Sequence, residues 1–185
     1  WNRKNPYFAE VSENKLLSGK KSNKEIRHYE IELSDSGIDY NVGDTLNIVP
    51  QNSPKLVNLI LKRIGVEKNF KPIGFKNSIN YLLLNNFEIS TPNLSFVEEI
   101  NLILKNKQLD SLLKANDKDK LESFLWGKDI LDLLNLNEKV EITPEKFLSL
   151  LKALQPRAYS ISSSPKVHGS QVHLTVSLVR WSGSG

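Results

Sequence analysis

The 185-residue chain contains no cysteine. Disulfides and thiolate metal sites are therefore excluded. Long apolar runs are missing too. The longest, such as Tyr81-Leu82-Leu83-Leu84, fall far short of the roughly 20 residues that span a bilayer. The first residues, Trp1-Asn2-Arg3-Lys4-Asn5-Pro6, hold no apolar signal core, so a cytoplasmic location and no membrane association are expected. Charge is not blocked. Against a net charge of +4, Lys20-Lys21 and Lys118 with Lys120 are the nearest approach to clusters, whereas nucleic-acid binders concentrate charge on one face or tail. No nucleic-acid partner is expected, and the basic balance suits a phosphate-rich cofactor or an acidic redox partner better.

Familiar catalytic and nucleotide signatures are also absent. There is no Gly-x-Gly-x-x-Gly, no Walker loop and no Gly-x-Ser-x-Gly elbow, which removes the usual dinucleotide, P-loop and serine-hydrolase readings. Gly19-Lys20-Lys21-Ser22 lacks the upstream glycine of a phosphate loop and reads as a hairpin turn. Three histidines occur, His28, His168 and His173, and none has a second histidine at the i+4 spacing of a helical metal pair. His28 and His173 fall in strand patterns, where an outward, solvated ring is the default. No metal site is expected.

What the sequence does have is a change of period. With 39% hydrophobic residues it can fill a core, and that content is distributed in three zones. From Tyr7 to about Val49 apolar residues alternate, as in Tyr29, Ile31 and Leu33 against Glu30 and Glu32, which is strand grammar. Ser53-Pro54 then pairs an N-cap hydroxyl with an N1 proline. Leu56, Leu59, Ile60 and Ile64 follow at helical spacing until Gly65. Further helices are expected over 80–86, 95–105, 118–126, 128–134 and 144–154. Their leucine stripes are read as bundle core. After Gln155-Pro156 the alternation returns in Val172, Leu174, Val176 and Leu178. The pattern implies an α+β protein: an antiparallel β-barrel interrupted by an all-α insertion, with both β parts closing one sheet. Expected boundaries are 1–52 and 155–181 for the barrel and 53–154 for the helices. Residues 182–185, Ser-Gly-Ser-Gly, read as a flexible tail or an appended scar.

The densest chemistry lies in Gln155-Pro156-Arg157-Ala158-Tyr159-Ser160-Ile161-Ser162-Ser163-Ser164-Pro165. On a strand, Arg157 and Tyr159 share a face while Ala158 and Ser160 face the other way. A guanidinium holds a phosphate with two prongs. A phenol ring stacks and keeps a polar tip, and a serine hydroxyl meets a ring heteroatom. Phosphate on one side and a flat ring on the other is what a flavin nucleotide presents. The same four residues are also compatible with a solvated strand end that leads into a serine turn.

This stretch, with Val172-His173-Leu174-Thr175-Val176 behind it, closely resembles the FAD-binding domain of the diflavin reductases. Three N-terminal segments resemble the family in order and spacing: Arg27 to Leu33, Asp35 to Leu46, and Pro50-Gln51-Asn52-Ser53-Pro54-Lys55-Leu56-Val57. The resemblance covers most of the chain, is weakest between about Phe70 and Leu125, and is nearest to the sulfite-reductase type. It implies a ferredoxin reductase-like flavin barrel interrupted by the helical connecting domain of those enzymes. It also implies roles. Arg157 would clamp the FAD pyrophosphate, Tyr159 would stack on the isoalloxazine, and Ser160 would sit by the flavin N5 as the catalytic residue. Thr175, Val176 and Ser177 would lend backbone groups to the flavin edge, and Trp181 would pack on the adenine.

The implied function is an NADPH-dependent oxidoreductase that passes electrons through FAD to FMN and an acceptor, with a hemoprotein as the candidate acceptor. The partners would be an FMN domain and an NADPH-binding domain of the same enzyme. A P450-reductase-like enzyme, a barrel that binds without flavin, and a single-strand nucleic-acid binder using Tyr159 and Trp181 are the alternatives. The family's second pyrophosphate turn and NADPH domain are not found in this sequence. A piece of a longer enzyme that does not turn over NADPH alone is therefore expected.

Overall fold

The computed structural model describes residues 1–2, 5–115 and 117–179. The described chain divides into two compact units, one formed by residues 1–49 and 156–179, the other by Pro50–Gln155. The first is built on strands and the second on helices, so the α+β class holds, with antiparallel sheets throughout.

In the first unit, β1 (Val11–Leu16) and β2 (Glu25–Glu32) form a hairpin. Its turn is Gly19-Lys20-Lys21-Ser22, closed by the Ser22 N–H donating to the Gly19 carbonyl at 2.9 Å. The faint phosphate-loop look of that segment therefore has a turn as its explanation. β3 (Thr45–Ile48) pairs with β4 (Arg157–Ser160), and after the single-turn helix α8 (Pro165–His168) the strand β5 (Gln171–Leu178) pairs with β2. The sheets run β1-β2-β5 and β3-β4. An Ile161–Leu174 bridge links the end of β4 to the outer edge of β5. Among the described residues these strands do not close into a barrel.

The core of this unit is small: Ile31, Leu33, Tyr40, Val172 and Leu174, with Tyr29, Leu46, Ile48, Tyr159, Ile161 and Val176 packed on it. Tyr40 carries a polar chain through that core. Its hydroxyl donates to the Gln171 carbonyl at 2.7 Å and lies 2.7 Å from Ser163 Oγ, which in turn receives the His173 N–H at 2.9 Å. Each hydroxyl owns one proton, so the order of donation is fixed: His173 N–H to Ser163, Ser163 to Tyr40, Tyr40 to Gln171. Ser163 is only 6% exposed, which a plain surface turn does not require. His173 likewise departs from expectation, because its ring is 7% exposed. Burial disfavours its imidazolium and lowers its pKa, with repulsion from His168 acting in the same sense.

The helical unit contains α1 (Pro54–Arg63), α2 (Ile79–Asn85), α3 (Leu94–Leu104), α4 (Lys107–Ala115), α5 (Lys118–Leu125), α6 (Ile130–Leu134) and α7 (Pro144–Leu150). α1 starts on Pro54 and ends where Gly65 takes φ +69°, as its sequence predicts, but the Ser53 hydroxyl makes no capping hydrogen bond, so the expected N-cap role is not filled. α4 was not expected; Asn106 caps it through the Leu109 N–H at 3.0 Å, and Leu109 is fully buried. α7 stops four residues short of the expected Leu154. The chain there turns extended because Glu88 N–H donates to the Lys152 carbonyl and Leu154 N–H to the Asn86 carbonyl, each at 2.8 Å. Phe96, Val97, Ile100 and Leu104 of α3 are all at 0% exposure, and Phe96 meets Phe147 edge to face at 6.5 Å. The leucine stripes are core, as read, except Leu59 of α1, which is exposed.

α6 opens on a reciprocal cap. Asp129 N–H donates to Asp132 Oδ2 at 2.9 Å and Asp132 N–H to Asp129 Oδ1 at 3.0 Å. Burial, with the Asp132 carboxylate beside it, raises the Asp129 pKa above its model-peptide 3.8, while the backbone hydrogen bonds oppose the shift. A carboxyl whose folded pKa is raised binds more protons folded than unfolded. Its contribution therefore favours folding at low pH and is lost as pH rises from 3.8 through the folded value. Asp129→Asn keeps the cap oxygen and removes the charge. In urea denaturation at pH 4 and pH 7, the variant is expected to gain on the parent as pH rises. A stability difference independent of pH would refute the assignment.

Candidate flavin site

β4 places the Arg-x-Tyr-Ser residues by its pairing with β3: Ile48 opposite Arg157, Leu46 opposite Tyr159 and Thr45 opposite Ser160. Directly opposed residues share a face. Arg157 and Tyr159 therefore lie on the face that carries Leu46 and Ile48, and Ala158 and Ser160 lie on the other. Tyr159 is half-buried against the small core, while Arg157 and Ser160 are exposed. Neither the Arg157 guanidinium nor the Tyr159 hydroxyl has a hydrogen-bond or ion-pair partner among the described residues. An exposed Arg with no carboxylate beside it is a free two-pronged donor.

The Ile161–Leu174 bridge brings the C-terminal end of β4 against β5. The Ser162 N–H donates to the His173 carbonyl at 2.9 Å. Bonding of Ser162 to His173 around that bridge marks Ile161–Leu174 as a non-hydrogen-bonded pair. The backbone groups of His173, Thr175 and Ser177 consequently point toward the outer edge of β5, and those of Leu174 and Val176 toward β2. Val176 pairs with Arg27 and turns its side chain to the core. Thr175 and Ser177 are exposed, and Thr175 Oγ1 reaches Ser162 Oγ only at 3.5 Å. Ser160 and Thr175 are thus neighbours across the two strands, with Arg157 at the far end of β4, about 10 Å away at a strand's rise per residue. Trp181 lies outside the described residues.

The arrangement is an open strand surface. A separate cleft of about 210 Å³, lined by Leu33, Ile38, Tyr40, Thr45, Leu46 and Ile161 among others, does not include Arg157 or Tyr159. No local signal marks the Tyr40–Ser163–His173 chain that fixes where the turn after Ser160 meets β5. Ser163 is one of four serines within five residues, and nothing local separates it from the others.

The family model described as "FAD binding domain" matches residues 1–78 and 103–185. The chain belongs to the FAD binding domain family. Among curated proteins it is 34% identical over 189 residues to the sulfite reductase [NADPH] flavoprotein alpha-component of Bacillus subtilis, covering 100% of this chain and 31% of that protein. It is 35% identical over 187 residues to the protein of the same name from Vibrio cholerae, covering 100% of this chain and 30% of that one. It is 36% identical over 183 residues to the one from Vibrio parahaemolyticus, covering 98% and 29%. The chain therefore spans under a third of the length of these relatives. The donor set fits the family's cofactor: an unpartnered guanidinium, a half-buried phenol and an open strand edge are what a dinucleotide with a flat ring system needs.

Proposed function

We propose that this chain is the FAD-holding part of an NADPH-dependent flavoprotein reductase of the sulfite-reductase type. Its helical unit would be the connecting domain, and its strands would be part of a flavin barrel. The observation that carries the reading is the exposed, unpaired Arg157 at one end of a strand whose other end abuts the open edge of β5. A ribityl chain suits that spacing. Arg157 would take the pyrophosphate, and Tyr159 would offer its ring to the isoalloxazine. Ser160 would place a hydroxyl near N5, and Trp181 is proposed for the adenine. Thr175 and Ser177 would lend edge backbone groups; Val176, whose backbone is directed to β2 and whose side chain packs on the core, would lend none, contrary to the expectation.

Bound FAD supplies the hydride and single-electron chemistry, while the protein supplies position and electrostatics. NADPH as donor, FMN as the next carrier and a hemoprotein acceptor are proposed for the longer enzyme. Partners would be its FMN and NADPH-binding domains. The test is FAD titration of the polypeptide that the intact gene encodes, followed by flavin fluorescence and the visible spectrum. Saturable quenching with a structured flavin band is expected. Flavin that stays free in solution would sink the proposal.

A further inference from the structure

One side-chain cluster takes no part in the proposed flavin surface. His28 and Glu30 lie two residues apart on β2 and share a face, and Glu30 is the direct cross-strand partner of His173 on β5. His28 Nε2 is 3.1 Å from Glu30 Oε1, and the His28 and His173 rings meet edge to face at 5.0 Å. The ligand atoms of the three residues lie within 4.8 Å of one another. A second observation is independent of this spacing. His173 Nε2 is buried and has no hydrogen-bond partner among the described residues, on a residue only 7% exposed. Buried ring nitrogens are ordinarily satisfied, and this one, on a ring that belongs to the cluster, is not.

We propose that His28, Glu30 and His173 bind one divalent late transition-metal ion, zinc foremost, with solvent as the fourth ligand. Two imidazoles and one carboxylate are a donor set suited to zinc. With metal–ligand bonds of about 2.0–2.1 Å, a tetrahedral site separates its ligand atoms by roughly 3.4 Å. The spread seen here closes to that value by small side-chain rotations, without moving the paired strands. Glu13 on β1 stands opposite Glu30, so a cation also relieves two like charges held on adjacent strands. The His168 ring covers His173 at 4.0 Å between centroids, leaving the exposed side to solvent. Such a site is invisible to a search for i, i+4 pairs because its ligands come from two strands far apart in sequence.

The full chain, stripped with a chelator, is titrated with Zn²⁺ against a competing chromophoric chelator and separately with Co²⁺. One equivalent of each is expected to bind, the cobalt form showing the intense visible bands of a four-coordinate site, and zinc is expected to raise Tm. Glu30→Gln and His28→Asn change half-exposed side chains and are expected to keep the fold by circular dichroism. Each should weaken zinc by at least the roughly 10- to 100-fold that even an outer-sphere partner is worth, and the Tm gain should vanish. His173→Gln tests the buried ligand where that variant folds. Absence of a saturable one-equivalent site, or zinc affinity and Tm gain unchanged in both Glu30→Gln and His28→Asn, overturns the proposal. Neither readout depends on flavin.

Discussion

Phe96→Ala is expected to destabilise the helical unit by about 3–5 kcal/mol, the range for removing a buried phenyl ring. Phe96 is fully buried on α3 and packs edge to face on Phe147, itself fully buried on α7. Truncation therefore removes apolar burial and the aromatic contact together, and opens a space walled by a side chain that cannot follow. Neighbouring Val97, Ile100 and Leu104 are also at 0% exposure, so little freedom exists to fill the gap. Leu102 on the same helix is 70% exposed, and Leu102→Ala should change stability by no more than about 0.5 kcal/mol. Urea denaturation followed by helical circular dichroism measures both. Equal effects of the two substitutions would contradict the core described here.

Arg157→Ala is expected to weaken FAD binding by about 1.5–3 kcal/mol, the worth of a hydrogen bond to a charged group, or roughly 10- to 150-fold in Kd. The reasoning is geometric. The guanidinium is exposed and unpaired among the described residues, so its removal breaks no internal contact of its own. A loss of affinity at unchanged Tm would then report on the ligand. Arg157→Lys should recover only part of it, because an ammonium is a point charge without the planar fork. A Kd unaffected by both substitutions removes the phosphate clamp from the proposal and leaves Tyr159 and the β5 edge to account for binding.

Much of this molecule is readable from its residues, and the reasons differ by element. α1 announces itself through the N1 proline Pro54 and the positive-φ Gly65, because both are local backbone constraints. β5 is legible because Val172, Leu174 and Val176 all turn to the core, so its apolar residues repeat every two, even though His173 between them is buried as well. α4 is not, since its leucines are crowded between polar residues and its cap is a lone Asn106. The overrun of α7 has a clearer cause. Its sequence goes on favouring helix, but pairing of 152–154 with 86–88 wins, and pairing partners 66 residues distant leave no trace in a local window. The candidate flavin strand was legible as a motif, Arg-x-Tyr-Ser. The buried Ser163 and the unpartnered Nε2 of His173 were not, because burial of one serine among several, or of one histidine in an alternating strand, is decided across the sheet.

The hydrogen bonds at the two ends of the helical unit bear on how the chain finds its fold. The Asn52 N–H donates to the Leu84 carbonyl at 2.9 Å, and its side-chain amide donates to the Leu83 and Phe87 carbonyls at 2.7 and 2.6 Å. Leu154 N–H donates to the Asn86 carbonyl at 2.8 Å. Entry and exit of the insertion are therefore fastened to the same short stretch at the end of α2, residues 83–87. Tyr40 must find Gln171, 131 residues away along the chain, and closing so long a loop slows folding. A contiguous helical unit that folds first holds its own ends together and replaces that long search with a short one. Along the chain the whole helical unit also precedes β4 and β5, so it is synthesised before the strands that complete the first unit.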